Sequence, residues 1–136
     1  MNPQETLEDK GFFDRTFDYV FNPPGGELAA SQLLQTQVSI DVDAEFWLGS
    51  WYVATSTGAF EILLTDSDGY QMEDTPINSS AMSFTGPLPQ VFSPAHRFPA
   101  GGRIQIQIRN LTGAPNTVQI VFKGWKRFYR PVAQAA

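Results

Sequence analysis

Residues 101–128 read GGRIQIQIRNLTGAPNTVQIVFKGWKRF, and this stretch decides the fold. Ile104, Ile106 and Ile108 alternate with Arg103, Gln105, Gln107 and Arg109, the period-two pattern of a strand with one face buried and one in water. After the breaker NLTGAPN, Val118, Ile120 and Phe122 resume the inward phase. Two long strands joined by a short loop predict a hairpin, each strand giving three side chains to one core. The stretch ends in Lys123, Lys126 and Arg127 and contains no Asp or Glu.

Upstream the pattern repeats. Val38, Ile40 and Val42 alternate with Ser39, Asp41 and Asp43, and EFWLGSWYVAT at 45–55 is a longer run whose internal Gly49 predicts a bulge or bend. In AFEILLTD, residues 59–66, Phe60, Ile62 and Leu64 share a face, and Ser67-Asp68-Gly69 closes the strand as a hairpin turn would. Residues 70–100 carry Pro76, Pro87, Pro89, Pro94 and Pro99, which deny a central strand its backbone donors. Long surface loops are expected there, with AMSFT (81–85) a short strand, PQVFS (89–93) an edge segment and His96 in a loop.

About eight short strands, and no helix of comparable support after residue 30, predict an all-β protein: an antiparallel two-sheet sandwich, with a jelly roll as the expected topology. Residues 33–130 form that domain. Residues 131–136 are a C-terminal tail, and residues 1–32 an N-terminal arm ending in the breaker NPPGGE. Phe17, Tyr19 and Phe21 lie at the spacing of a strand face, while Phe13, Phe17 and Phe21 lie at the spacing of a helix face. The arm is therefore either extended or a short helix, with enough aromatic surface to require docking somewhere.

A chain of 136 residues supports one core, and 13% aromatic content is rich for its size. The absence of cysteine excludes disulfides and thiolate metal sites. No apolar run approaches the roughly 20 residues of a membrane span, so no membrane association is expected. All fourteen acidic residues lie between Glu5 and Asp74, with only Lys10 and Arg15 among them, giving −12; the seven later basic residues give +7 to the rest. Either the two halves neutralise each other inside one fold, or they lie on different surfaces and orient partners.

Catalytic signals are weak. Asp66-Ser67-Asp68-Gly69 begins like a calcium loop but lacks the closing bidentate Glu, which leaves a hairpin turn. Asp41, Asp43 and Glu45 would share a strand face and read as a solvated outer surface. His96 is the single histidine, and no nucleophile elbow, phosphate loop or dinucleotide fingerprint is present; no enzymatic activity and no cofactor are expected. KGWKRFYR at 123–130 interleaves cations with rings as single-stranded nucleic-acid binders do, but a sequence pI near 4.6 argues against nucleic acid and for a protein interface. Trp47, Trp51, Tyr52 and Tyr70 offer rings on which a sugar could stack, so a carbohydrate-binding module is the alternative reading.

FPAGGRIQIQIRNLTGAPNTVQIVFKGWKRF at 98–128, with GSWYVATSTGAFEILLTDSDGYQ at 49–71, resembles the small cement, or decoration, proteins of tailed bacteriophages. The resemblance implies a jelly roll, synthesis in the host cytoplasm, residence on the capsid surface of the virion, and a symmetric homo-oligomer, dimer or trimer, that bridges neighbouring copies of the major capsid protein. On that reading Phe12, Phe13, Phe17, Tyr19 and Phe21 anchor the arm, and Lys126, Arg127, Phe128, Tyr129 and Arg130 form a second contact patch. Otherwise both groups simply close the ends of the core.

Overall fold

Where apolar residues alternate with polar ones along 33–39, 103–110 and 116–122, the backbone is extended. The computed structural model describes residues 11–79 and 90–130, with nine strands among them: β1 (Phe12–Phe21), β2 (Glu27–Leu28), β3 (Leu33–Ser39), β4 (Glu45–Ser56), β5 (Phe60–Thr65), β6 (Ile77–Asn78), β7 (Gln90–Phe98), β8 (Arg103–Asn110) and β9 (Asn116–Tyr129). There is no α-helix among the described residues, and a 3-10 turn spans Pro24–Gly26. Two antiparallel sheets pack as a sandwich. One has the order β1-β9-β4-β7, with β2 also on β9, and the other β3-β8-β5-β6.

The pairings are nested: β1 with β9, β3 with β8, β4 with β7, β5 with β6. Between the sheets lie Phe46, Leu48 and Trp51 from β4 and Val118, Ile120 and Phe122 from β9. Phe60, Ile62 and Leu64 from β5 and Ile104, Ile106 and Ile108 from β8 complete the wall opposite. The inward faces predicted from alternation for β5, β8 and β9 are thus the inward faces observed.

The predicted hairpin of residues 103–122 is not. β8 lies between β3 and β5 in one sheet and β9 between β1 and β4 in the other, so the two strands line opposite walls of one core. The loop between them carries the chain across the sandwich, and two buried amides hold it. Asn110 donates to the carbonyls of Ala29 and Ala114 and accepts from the Thr112 amide and hydroxyl. Asn116 donates to the carbonyls of Gly58 and Ala59 and accepts from the Thr57 amide. Both are essentially inaccessible. Replacing Asn116 with alanine strands several buried backbone groups and is expected to cost about 2–3 kcal/mol in a urea unfolding experiment.

Other local expectations divide. Gly49 does mark a bulge, with the β4 register shifting between Leu48 and Ser50, so Trp47 faces outward while Trp51 enters the core at 1% exposure. Asp66 closes its turn by accepting the amides of Asp68 and Tyr70, each at 2.9 Å. Val42 is not a strand residue: it tips the turn between β3 and β4 and is 86% exposed. His96 lies in β7 rather than a loop, bonded through Nε2 to Asp66 at 3.0 Å. Pro94 is tolerated there because β7 is an edge strand. The strand expected at 81–85 and the tail at 131–136 lie outside the described residues.

Segment 1–32 contributes β1 and β2. Residues 12–21 are a full edge strand, in continuous register with β9 from Phe12↔Tyr129 to Phe21↔Ile120. The strand spacing of Phe17, Tyr19 and Phe21 prevails over the helical one, because only a strand brings Tyr19 and Phe21 to the same core as Phe122 and Ile120.

Candidate interaction surface at the end of the β1–β9 ribbon

β9 runs between β1 and β4, and its alternation fixes what each neighbour must supply. Even-numbered residues from Val118 to Phe128 face inward and odd-numbered ones outward, which follows from the burial of Val118, Ile120 and Phe122 and from the register with both neighbours. On the outer face Arg127 stands between Asp14 of β1 and Glu45 of β4. It donates to both Asp14 oxygens, at 2.9 and 3.1 Å. Its guanidinium carbon lies 3.9 Å from the centre of the Phe12 ring and 4.7 Å from that of Trp47. Trp47 stacks on Trp125 with ring planes 2° apart. Glu45, 3% exposed, accepts from Arg97 and from the Tyr129 hydroxyl.

On the inner face Lys126 is 7% exposed yet charged, because its ammonium bonds Asp41 at 2.9 Å and Asp43 at 3.0 Å and sits 4.1 Å from the Phe17 ring centre. Asp41 is held in turn, its amide donating to the Tyr19 hydroxyl at 3.0 Å. Beyond Lys126 the ribbon continues to Phe13 and Phe128, stacked at 5.3 Å, with Arg15 and Arg130 5.6 and 5.5 Å from the Phe13 ring centre. Phe13 is 37% exposed and Tyr129, on the outer face, 63%.

The acid-free C-terminal stretch has a structural cause. Arg97, Arg109, Lys123, Lys126 and Arg127 pair with Glu45, Glu61, Asp18, Asp41 with Asp43, and Asp14 respectively. Five of the seven late cations thus meet carboxylates of the early half inside one chain, because the nested pairing brings early strands beside late ones. Asp41 and Asp43 are exposed to solvent, as expected, and from the turn after β3 they clamp Lys126, whereas Glu45 is buried and holds Arg97. Arg15, Arg103 and Arg130 have no carboxylate partner among the described residues.

Burial works against the charges of Glu45, Asp66 and Lys126, but their hydrogen bonds outweigh it: Glu45 and Asp66 are held below the ordinary carboxylate range and Lys126 above the ordinary lysine value. Asp41 is also lowered, chiefly by its bond from Lys126. Carboxylates depressed by folding contribute stability that is fully present above the unfolded value, about pH 4, and is lost as pH falls through the lower folded values. Glu73, raised by burial, acts in the opposite sense. Urea midpoints measured between pH 7 and pH 2 are expected to hold until about pH 5 and then decline; the decline is expected to be shallower in Glu45→Gln, which no longer loses that bond on protonation.

The structure brings Phe12, Phe13, Lys126, Arg127, Phe128, Tyr129 and Arg130 together through three consecutive cross-strand pairs and their immediate neighbours. Phe17 is half-buried beneath Lys126, while Tyr19 and Phe21, at 8% and 4%, are core residues and not surface anchors. Of the rings weighed for sugar stacking, Trp51 is likewise in the core. The sequence reading passed over Asp14 and Arg15 as parts of this surface. The signal was there in the alternation of Asp14, Thr16 and Asp18 with Phe13, Arg15 and Phe17, which requires one face of β1 to carry acids and the other rings. No helix of the described residues is long and apolar enough to cross a membrane. No family model matches the chain, and no curated protein sequence matches it.

Proposed function

We propose that this chain is a capsid cement protein: it binds the outside of a bacteriophage shell and ties adjacent major capsid subunits together, acting by adhesion and not by catalysis. The observation that carries the reading is the ribbon end, where exposed Phe13 and Tyr129 and cations left without carboxylates project from a rigid two-stranded support. Rings beside arginines are the composition of interface anchors, and a rigid support keeps the ordering cost of docking small. The nested strand order also supports a jelly-roll reading, since four pairs wound as one long hairpin into two sheets are what that topology requires. A symmetric dimer or trimer would present the ribbon end several times, so modest single contacts add up by effective concentration.

The test is co-sedimentation with empty shells assembled from the major capsid protein of the same genome, with light scattering to give the oligomeric state. Saturable occupancy is expected, and Phe13→Ser with Tyr129→Ser should abolish it while leaving the circular dichroism spectrum unchanged and unfolding cooperative, with a lower urea midpoint because Glu45 loses the Tyr129 hydroxyl. No association with shells, or equal occupancy by the double variant, overturns the reading.

A further inference from the structure

β1 is an edge strand over ten residues, and among the described residues no strand pairs with its free side. Such an edge offers a row of backbone donors and acceptors to any extended chain. Its side chains say which chain would fit. On the outer face Asp14 is satisfied by Arg127 and Asp18 by Lys123. On the inner face Arg15 stands between Phe13 and Phe17, directly opposite Lys126. Like charges facing each other across two strands are unfavourable; Lys126 is compensated by Asp41 and Asp43, whereas Arg15 has only the Phe13 ring, 5.6 Å away. Arg15 is the one charged group of β1 without an ionic partner among the described residues, and Arg130 adds a second uncompensated cation over the same ring.

We propose that β1 receives an extended segment of another protein as an added strand, and that this segment places a carboxylate opposite Arg15 with apolar side chains two residues to either side, against Phe13 and Phe17. The outer face requires no charge of the partner. The predicted pattern, apolar-x-acid-x-apolar, is the same in both chain directions, so it applies to parallel and antiparallel addition. This inference rests on the reading that the ribbon end is the docking surface, and under that reading the segment belongs to a capsid subunit.

The probe is the capped heptapeptide Thr-Phe-Thr-Glu-Thr-Phe-Thr with twins carrying Gln or Lys at the centre, titrated into the full chain by fluorescence anisotropy, with amide hydrogen exchange read at β1. The Glu peptide is expected to bind saturably and to protect outward-facing β1 amides, with the Gln twin about tenfold weaker. Arg15→Glu, an exposed change that places an acid opposite Lys126 and should not impair folding, is expected to exchange the preference to the Lys twin. Equal binding of all three peptides, no saturable binding, or β1 amides already protected by a second copy of this chain in a concentration-dependent way would each overturn the proposal. Shell binding unaffected by Arg15→Glu sinks the strand addition and leaves the cement reading standing. Peptide recognition without shell binding does the reverse.

Discussion

A chain lacking residues 1–24 is expected not to fold. The deletion removes β1, and with it Tyr19 and Phe21 from the core and Phe17 from the layer packed on it. Burying one such side chain contributes about 1.5–3 kcal/mol, so three together approach the whole stability of a domain this size, about 5–15 kcal/mol. The deletion also strips β9 of ten paired residues along one side, leaving a long apolar strand as a new sheet edge, which invites aggregation. Lys126 would lose the Phe17 ring beneath it, and Asp41 the Tyr19 hydroxyl that holds its amide. The measurement is soluble yield, far-ultraviolet circular dichroism and amide dispersion of the truncated chain beside the parent. A truncated chain with native dispersion and cooperative unfolding would show instead that residues 1–24 are an appendage, and would undo the register of β1 with β9. Deleting residues 1–10 alone is the matching control, since it leaves β1 intact.

The same strand shows what can be read from sequence and what cannot. Period-two alternation identified the inward residues of β5, β8 and β9, because burial of one face is a local property of a strand; in β4 the bulge at Gly49 breaks the period. Pairing is not local. From sequence, β8 and β9 are neighbours joined by five residues, and proximity favours a hairpin; the choice to cross the core instead depends on Asn110 and Asn116 finding carbonyls at Ala29, Gly58 and Ala59, residues 57 or more positions away. Charge segregation was visible at once, yet its meaning required the topology. Asp14 and Arg127 are 113 residues apart in sequence and directly opposite in the sheet. The candidate surface was legible at its two ends, as clustered rings in 12–21 and mixed rings and cations in 123–130. That the clusters form one surface follows only from the β1–β9 register. That Tyr19 and Phe21 leave it for the core follows from their position farther along β1, opposite the core residues Phe122 and Ile120 of β9.

Replacing Gly124 with alanine is expected to destabilise the protein more than any other single methyl group would. Gly124 lies in β9 between Phe17 of β1 and Leu48 of β4, at the place where the β4 bulge shifts the register from Leu48 to Ser50. The bulge turns the backbone of β4 over β9, and a Cβ on residue 124 would overlap the Trp47 carbonyl oxygen and lie 3.1 Å from the Phe46 ring. Neither can give way cheaply. The carbonyl belongs to a central strand, and Phe46 is fully buried and makes an edge contact with Tyr19. Overpacking of this kind costs about 1–3 kcal/mol where side chains can adjust, and at least about 3 kcal/mol is expected where a backbone must move. The strand order makes the site worse still, because a displaced β4 drags Glu45 and Trp47 from Arg127 and so disturbs the ribbon end as well as the core. Gly113→Ala is the comparison: nothing lies within 4 Å of a Cβ there, and a change within about 0.5 kcal/mol is expected. Urea midpoints of the two variants decide it. A Gly124→Ala chain as stable as Gly113→Ala would mean that β4 and β9 do not approach each other at the bulge, and the outward placement of Trp47 and Trp125 would fall with it.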